Sequence, residues 1–248
     1  MNKKKLLIVG NHGRLNEFLC KELGSDFDVD FFEYSDEVSD SFIRGYDSIL
    51  YSGGEVRNPE KFITKNFHIP YSLFLKAFKF NKRFVFFSSL ASLYYTDVMK
   101  FNSMKSTDYC KYAESKYMCD KAIESHRNHR ACSLKLASIN HPVRISSSYQ
   151  KYLHSSNGSK LIMRILGTCI SYCTYQDVAM AVIKALNNPT QRSIIVSKSV
   201  TVRSQLKKII RPLLKINLKK IPRRYYSRLY FATLPDAFEI SYRNYEEL

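Results

Sequence analysis

The stretch KLLIVGNHGRLN, residues 5–16, restricts the folds open to this chain more than any other. Leu6, Leu7, Ile8 and Val9 run without polar alternation, which suits a strand buried on both faces inside a parallel sheet. Gly10 ends the run. Leu15, Phe18, Leu19 and Leu23 then recur at helical spacing, and Gly24 is a natural helix stop. A strand, a glycine turn and a helix in immediate succession form the setting of a dinucleotide site. Glycines let the backbone approach a pyrophosphate, and the helix N-terminus supplies oriented N–H groups. The turn from Gly10 to Asn16 has G-x-x-G spacing but carries Asn16 where a third glycine is expected. A purely structural tight turn is the competing reading. Arg14 either meets phosphate or lies in solvent.

The same rhythm continues along the chain. FDVDFFEYS (27–35) and YDSILYSGG (46–54) read as strands, PYSLFLKAFKF (70–80) as a helix and KRFVFFSS (82–89) as a fourth strand. A helix follows over about 111–126, a fifth strand over ACSLKLASI (131–139), a helix over 176–189 and a strand over RSIIVS (192–197). Strands alternating with helices predict an α/β chain with a doubly wound, Rossmann-like parallel sheet. Past about residue 140 the rhythm loosens, which places a small substrate lobe mainly in 143–175 and 198–248 of a single 1–248 domain.

With 248 residues and 45% hydrophobic content, the chain can bury one substantial core. Its six cysteines are scattered without C-x-x-C spacing, which argues against a disulfide framework or a zinc site and for reduced thiols. His126-x-x-His129 lies at the polar end of a helix without an evident third ligand, and Cys169-x-x-x-Cys173 sits in an apolar stretch where buried free thiols are ordinary, so no metal is expected. The opening apolar run is too short for a signal peptide, and no run approaches a membrane span, so the expected location is cytoplasmic. The net charge of +17 is uneven: Thr201–Pro235 holds ten Lys/Arg and no acid. A solvated basic face, a phosphorylated ligand or an anionic membrane surface would each account for it. No nucleic-acid module accompanies the charge, so nucleic acid is not expected as a partner.

YAESK, residues 112–116, sets a phenol and an ammonium four residues apart, so on a helix Tyr112 and Lys116 share a face. A nearby ammonium favours the phenolate and predicts a lowered Tyr112 pKa, making an acid or base usable near neutral pH. On spacing alone, an exposed helix with an ordinary Tyr and Lys is the alternative. Glu33, 23 residues past Gly10, stands where an acid would accept from an adenosine ribose and disfavour a 2′-phosphate.

Taken in order, the G-x-x-G turn, the acid after strand two, YDSILYSGG, Asn66 opening a helix, RFVFFSS and YAESK resemble the extended short-chain dehydrogenase/reductases. The nearest pattern is the NAD-dependent epimerase/dehydratase group acting on nucleotide sugars. LKLASINHP (134–142) and TYQDVAMAV (174–182) resemble that group's later strand and helix start, so the likeness spans about 4–190.

The resemblance implies roles. Tyr112 would be the catalytic acid/base, and Lys116 would hold the nicotinamide ribose. Ser89 is favoured as the catalytic hydroxyl, with Ser88 and Ser92 as other candidates. Gly10, Gly13, Arg14 and Leu15 would line the pyrophosphate, Ser52 and Gly53 would flank the cofactor, and Asn66, matching the family's asparagine after strand three, would bind it. The cofactor would be NAD, with NADP as the alternative. Arg203, Arg223 and Arg224 are the residues to examine for a ligand diphosphate. Departures are plain: the family's count back from Tyr94 lands on Leu90, Gly53-Gly54 replace alanines, Lys135-Leu136 replace Arg-Pro, and His141 replaces Gly.

The implied activity is hydride transfer to a nucleotide-linked 4-keto-6-deoxysugar in surface-polysaccharide precursor synthesis. The alternatives are a C4 epimerase of an NDP-sugar or a polyprenyl-diphosphate sugar, and a non-catalytic NAD(P)-binding protein. The partner expectations are a nucleotide sugar, a homodimer and, for the lipid-linked case, a peripheral membrane contact through 203–228.

Overall fold

A computed structural model describes residues 3–34, 38–93, 95, 108–126, 130–139, 169–201 and 238–240. The strands are β1 (Lys4–Gly10), β2 (Phe27–Glu33), β3 (Ser48–Tyr51), β4 (Arg83–Ser89), β5 (Ala131–Leu136), β6 (Ser138–Ile139), β7 (Cys169–Cys173), β8 (Ser193–Val196), β9 (Lys198–Thr201) and β10 (Phe238–Ile240). The α-helices are α1 (Arg14–Leu23), α2 (Asp40–Arg44), α3 (Ile69–Lys79), α4 (Leu90–Leu93), α5 (Asp108–Glu124) and α6 (Tyr175–Asn187). A 3₁₀ turn at Pro59–Lys61 and a π turn at Thr64–His68 lead into α3.

Seven of these strands form one sheet in the order β2-β1-β3-β4-β5-β8-β10, and every pair in it is parallel. The chain winds outward from β1 to β2, then crosses back to β3 and continues the other way. This is the doubly wound architecture, with its switch point between β1 and β3. Among the described residues the segment between β2 and β3 carries only the short helix α2, so β2 closes that edge. A second, small sheet joins β6, β7 and β9.

The core explains why the strands are apolar throughout. Leu6 and Ile8 face one layer with Leu50, Val85, Phe87 and Leu134, covered by Leu19 and Leu23 of α1 and Val178 and Val182 of α6. Leu7 and Val9 face the other with Ile49, Phe84 and Phe86, covered by Leu73 and Phe74 of α3 and Cys119 and Ile123 of α5. Two covered faces require hydrophobic residues at successive positions, which is what KLLIV supplies.

Arg83 opens β4 from a buried position. Its five N–H groups donate to the carbonyls of Arg130, Ala185, Asn188, Pro189 and Gln191 at 2.8–2.9 Å. This fastens the C-terminal end of α6 to the sheet and satisfies a charge that burial alone would make costly.

Most of the lobe expected from 143–175 and 198–248 lies outside the described residues, as do Arg203, Arg223, Arg224, the 203–228 stretch, Tyr94, His129 and His141. Of those segments, β7 and β9 are described and pair antiparallel in the small sheet, and β10 extends the main sheet beside β8. No described helix is long and apolar enough to cross a membrane.

Candidate functional site

In a parallel sheet all carboxyl ends share one edge, so Gly10, Glu33, the residues after β3 and Ser89 converge on one rim. The β1–β2 register sets Gly10 directly beside Glu33. Gly10 is held to glycine by close approach: a β-carbon there would sit 2.5 Å from Ser52 Oγ and 2.7 Å from Asn16 Nδ2. Asn16 accounts for the missing third glycine. Its side chain is buried, and Nδ2 donates to the Asn11 carbonyl at 2.8 Å, bracing the turn from within.

The turn keeps the features a diphosphate needs. Gly13 is the N-cap of α1 and offers no side chain to the first-turn N–H groups, which stay available to an anion. Open space surrounds the position a Gly13 β-carbon would take. Arg14 is exposed at the same end, while the Leu15 side chain packs against the core. Glu33 is partly exposed and pairs with His12, whose Nε2 lies 3.4 Å from Glu33 Oε2. These residues fit a dinucleotide's pyrophosphate and adenosine ribose.

On the other side of the switch point, α5 brings Tyr112 and Lys116 to one face, as their spacing predicts. Ser89 ends β4 and hydrogen-bonds the Tyr112 hydroxyl, and Ser89 Oγ accepts from the Ala91 N–H at 3.2 Å. Phe62 meets the Tyr112 ring edge to face, with centroids 5.7 Å apart. The other two serines are occupied elsewhere. Ser88 Oγ donates to Asp120 Oδ2 at 2.8 Å, and Ser92 Oγ donates to the Ser89 carbonyl at 2.8 Å. Of the three candidates, Ser89 is the one beside the tyrosine.

The electrostatics differ from the sequence expectation. Burial raises the Tyr112 phenol above its ordinary value, and the Ser89 hydrogen bond only partly opposes this. Lys116 does not depress it, because the ammonium turns inward and donates to the Phe87 carbonyl at 2.9 Å. Burial in turn lowers Lys116 to about 8.

Asn66 also differs in role. Its Oδ1 accepts from the Glu55 N–H at 2.9 Å, while Nδ2 donates to the Glu55 carbonyl and to Ser115 Oγ. The amide is consumed in clamping the loop after β3 to α5, so Asn66 braces this loop instead of presenting a free group. Ser52 and Gly53 begin this loop. Sequence reasoning overlooked His12, Ser115 and Asp120. Asp120 was within reach, since it lies four residues beyond Lys116 on the same helical face.

No protein-family model matches the chain, and no curated protein matches it in sequence. Solved structures do match in shape. The dTDP-4-dehydrorhamnose reductase of Bacillus anthracis, in complex with NADP, superposes with a TM-score of 0.59 at 14% identity, over 86% of this chain and 81% of its own. The Bordetella bronchiseptica enzyme WbmG, in complex with NAD and UDP, gives 0.61 at 11%, over 89% and 82%. The UDP-N-acetylglucosamine 4-epimerase of Bacillus cereus gives 0.58 at 12%, over 83% and 84%. The chain has the fold of these reductases and epimerases. Their fold places the Rossmann-like expectation on firm ground, while identities this low leave the chemistry to the residues themselves. Among the described residues no group of His, Cys, Asp or Glu could hold a metal ion.

Proposed function

We propose that this chain is an NAD(P)-dependent oxidoreductase that reduces a nucleotide-linked 4-keto-6-deoxysugar. The observation that carries the reading is the meeting of Tyr112, Ser89 and Lys116 at the carboxyl edge of the sheet, across the switch point from an uncapped helix N-terminus. Gly10, Gly13 and Arg14 would receive the pyrophosphate, Glu33 the adenosine ribose, and Lys116 the nicotinamide ribose. The bound nicotinamide supplies a hydride. Tyr112 gives its proton to the carbonyl oxygen as the carbonyl carbon gains that hydride, so the ketone becomes a secondary alcohol. Ser89 Oγ holds the same oxygen and aligns it with the phenol.

The raised Tyr112 phenol supports the reductive direction, because a proton donor must hold its proton at neutral pH. A C4 epimerase would need the phenolate at its first step. The structures of similar fold, among them dTDP-4-dehydrorhamnose reductases and an enzyme in complex with UDP, support a nucleotide sugar as the substrate class. Surface-polysaccharide precursor synthesis is the setting that this chemistry suits.

The test is direct. The protein is mixed with NADH or NADPH and a panel of nucleotide-linked 4-keto sugars, and loss of reduced nicotinamide absorbance is followed. Turnover that disappears in Tyr112→Phe supports the reading. Absence of binding to either dinucleotide overturns it.

A further inference from the structure

Behind the Tyr112–Lys116 face lies a second charged cluster that the reaction itself does not use. Asp120, one helical turn beyond Lys116, is only 3% exposed. Its Oδ1 accepts from Ser133 Oγ at 2.8 Å, and its Oδ2 accepts from Ser88 Oγ at 2.8 Å and from Lys135 Nζ. Lys135 is itself buried to the same degree. Ion pairs this deep cost desolvation on both partners, and a pair of apolar residues would serve stability as well or better. The position of the pair points to another use.

Lys116 and Asp120 fasten α5 to consecutive residues of β4. Lys116 Nζ takes the Phe87 carbonyl and Asp120 takes the Ser88 hydroxyl. Ser89 comes next in the strand. The pair therefore sets the height of α5 over β4 at the point where Tyr112 must meet Ser89.

We propose that Asp120 and Lys135 are positioning residues for Lys116, holding it beside the nicotinamide ribose and governing whether it carries its proton there. The proposal rests on the reading of Lys116 as a ribose-binding group. Among the described groups packed about Lys116, few carry charge. On α5, Tyr112 is a neutral phenol and burial pushes the Cys119 thiol upward, which keeps it neutral as well. From β4 comes the neutral Phe87 carbonyl. In the loop after β3, the Glu55 carboxylate turns back onto the N–H groups of Val56, Arg57 and Asn58. Asp120 is left as the carboxylate that supports the Lys116 ammonium against burial, and its Oδ2 is shared with Lys135 on β5.

Opposite effects follow for the two partners. Removing the Asp120 charge leaves Lys116 without support and beside an uncompensated cation, so its titration falls. Removing the Lys135 charge frees the carboxylate to act on Lys116, so its titration rises. A pair that only held the fold together would give loss of stability in both cases and no opposed displacement.

The experiment uses the full chain carrying ε-carbon-labelled lysine, with the Lys116 resonance assigned through Lys116→Met. Titration is followed by NMR, and NAD affinity is measured over the same pH range. Asp120→Asn is expected to move the Lys116 midpoint down by about one pH unit, and Lys135→Met to move it up by about as much. Lys135→Arg keeps the charge and should keep the wild-type midpoint. If Asp120→Asn does not fold, the double variant Asp120→Asn/Lys135→Met removes both charges together and should titrate about one pH unit below Lys135→Met, near the wild-type midpoint. Opposed displacements, matched by the alkaline limit of NAD affinity, support the proposal. Displacements in one direction, or none, in a protein that still binds NAD overturn it and leave the proposed function standing. Opposed displacements in a protein that binds no dinucleotide overturn the proposed function, and the ribose role with it.

Discussion

Gly54 stands against Lys116 so closely that a β-carbon at residue 54 would lie 3.1 Å from Lys116 Nζ and 3.1 Å from Asn66 Oδ1. Its φ of 155° is also one that residues with a side chain rarely adopt. Two independent reasons thus require glycine here, one of backbone conformation and one of space. The loop after β3 can then lie flat against the lysine that the proposed reaction uses.

Gly54→Ala is therefore expected to destabilise the protein by about 2 kcal/mol, from backbone strain together with displacement of the lysine. Equilibrium denaturation measures the first effect. Dinucleotide titration measures the second, and affinity should fall along with stability. An alanine variant with unchanged denaturation midpoint and affinity would remove this account of the loop.

Lys116 gives a stability effect with a definite sign. Its folded value of about 8 lies below the ordinary lysine value of 10.5, so the unfolded chain binds more protons between those limits. The Lys116 contribution to stability therefore rises with pH across that window, and below about pH 8 the burial penalty is present in full. Lys116→Met removes a penalty of roughly 3 kcal/mol at neutral pH, less whatever the Phe87 hydrogen bond returned. The variant should be more stable than the wild type at pH 7, with the difference shrinking towards pH 10. Denaturant midpoints of the two proteins across this range decide it. A gap that widens with pH would contradict the lowered lysine.

How much of this was legible beforehand follows from the range of each interaction. The sheet was legible because burial on both faces leaves a local mark, and β1 and β4 read as unbroken apolar runs. Tyr112 and Lys116 were legible because helical periodicity brings them together without help from the rest of the fold. The direction of the Lys116 side chain was not, since it depends on the Phe87 carbonyl of another element. Asn66 was singled out for a ligand, yet its partners are Glu55 and Ser115, a relation that only the folded loop creates. Lys135 stood out as a substitution in a pattern, while its partner Asp120 went unnoticed because the two meet only across β5 and α5. Arg83 gave no signal, since its five N–H groups all go to backbone carbonyls of distant segments, which carry no side-chain mark in the sequence.

Cofactor choice turns on Glu33. Its place beside Gly10 at the rim suits hydrogen bonds from the 2′- and 3′-hydroxyls of an adenosine ribose, and its charge opposes a 2′-phosphate. NAD is expected to bind more tightly than NADP. Glu33→Arg should reverse the order, by replacing repulsion of the phosphate with a charge-assisted hydrogen bond. Dissociation constants for both cofactors in both proteins make the comparison. Unchanged preference in the variant would show that Glu33 does not face the ribose.

The three serines around the β4 turn offer the sharpest test of the catalytic assignment. Ser89 hydrogen-bonds the Tyr112 hydroxyl, so Ser89→Ala removes the group proposed to hold the substrate oxygen. Loss of one such donor lowers turnover by about 10²- to 10³-fold, with the fold and dinucleotide affinity nearly intact. Ser92→Ala deletes a hydrogen bond to the Ser89 carbonyl and should cost about 1 kcal/mol of stability with little effect on rate. Ser88→Ala strips one donor from the buried Asp120 carboxylate, so its loss should appear in stability first, by about 1–3 kcal/mol. Steady-state kinetics beside thermal denaturation separates the two kinds of defect. A rate defect at Ser88 or Ser92 as deep as that at Ser89, in a protein of normal stability, would move the catalytic hydroxyl away from Ser89. Equal indifference of all three would leave the hydride-transfer chemistry without its substrate-holding group and favour a chain that binds the dinucleotide without turning it over.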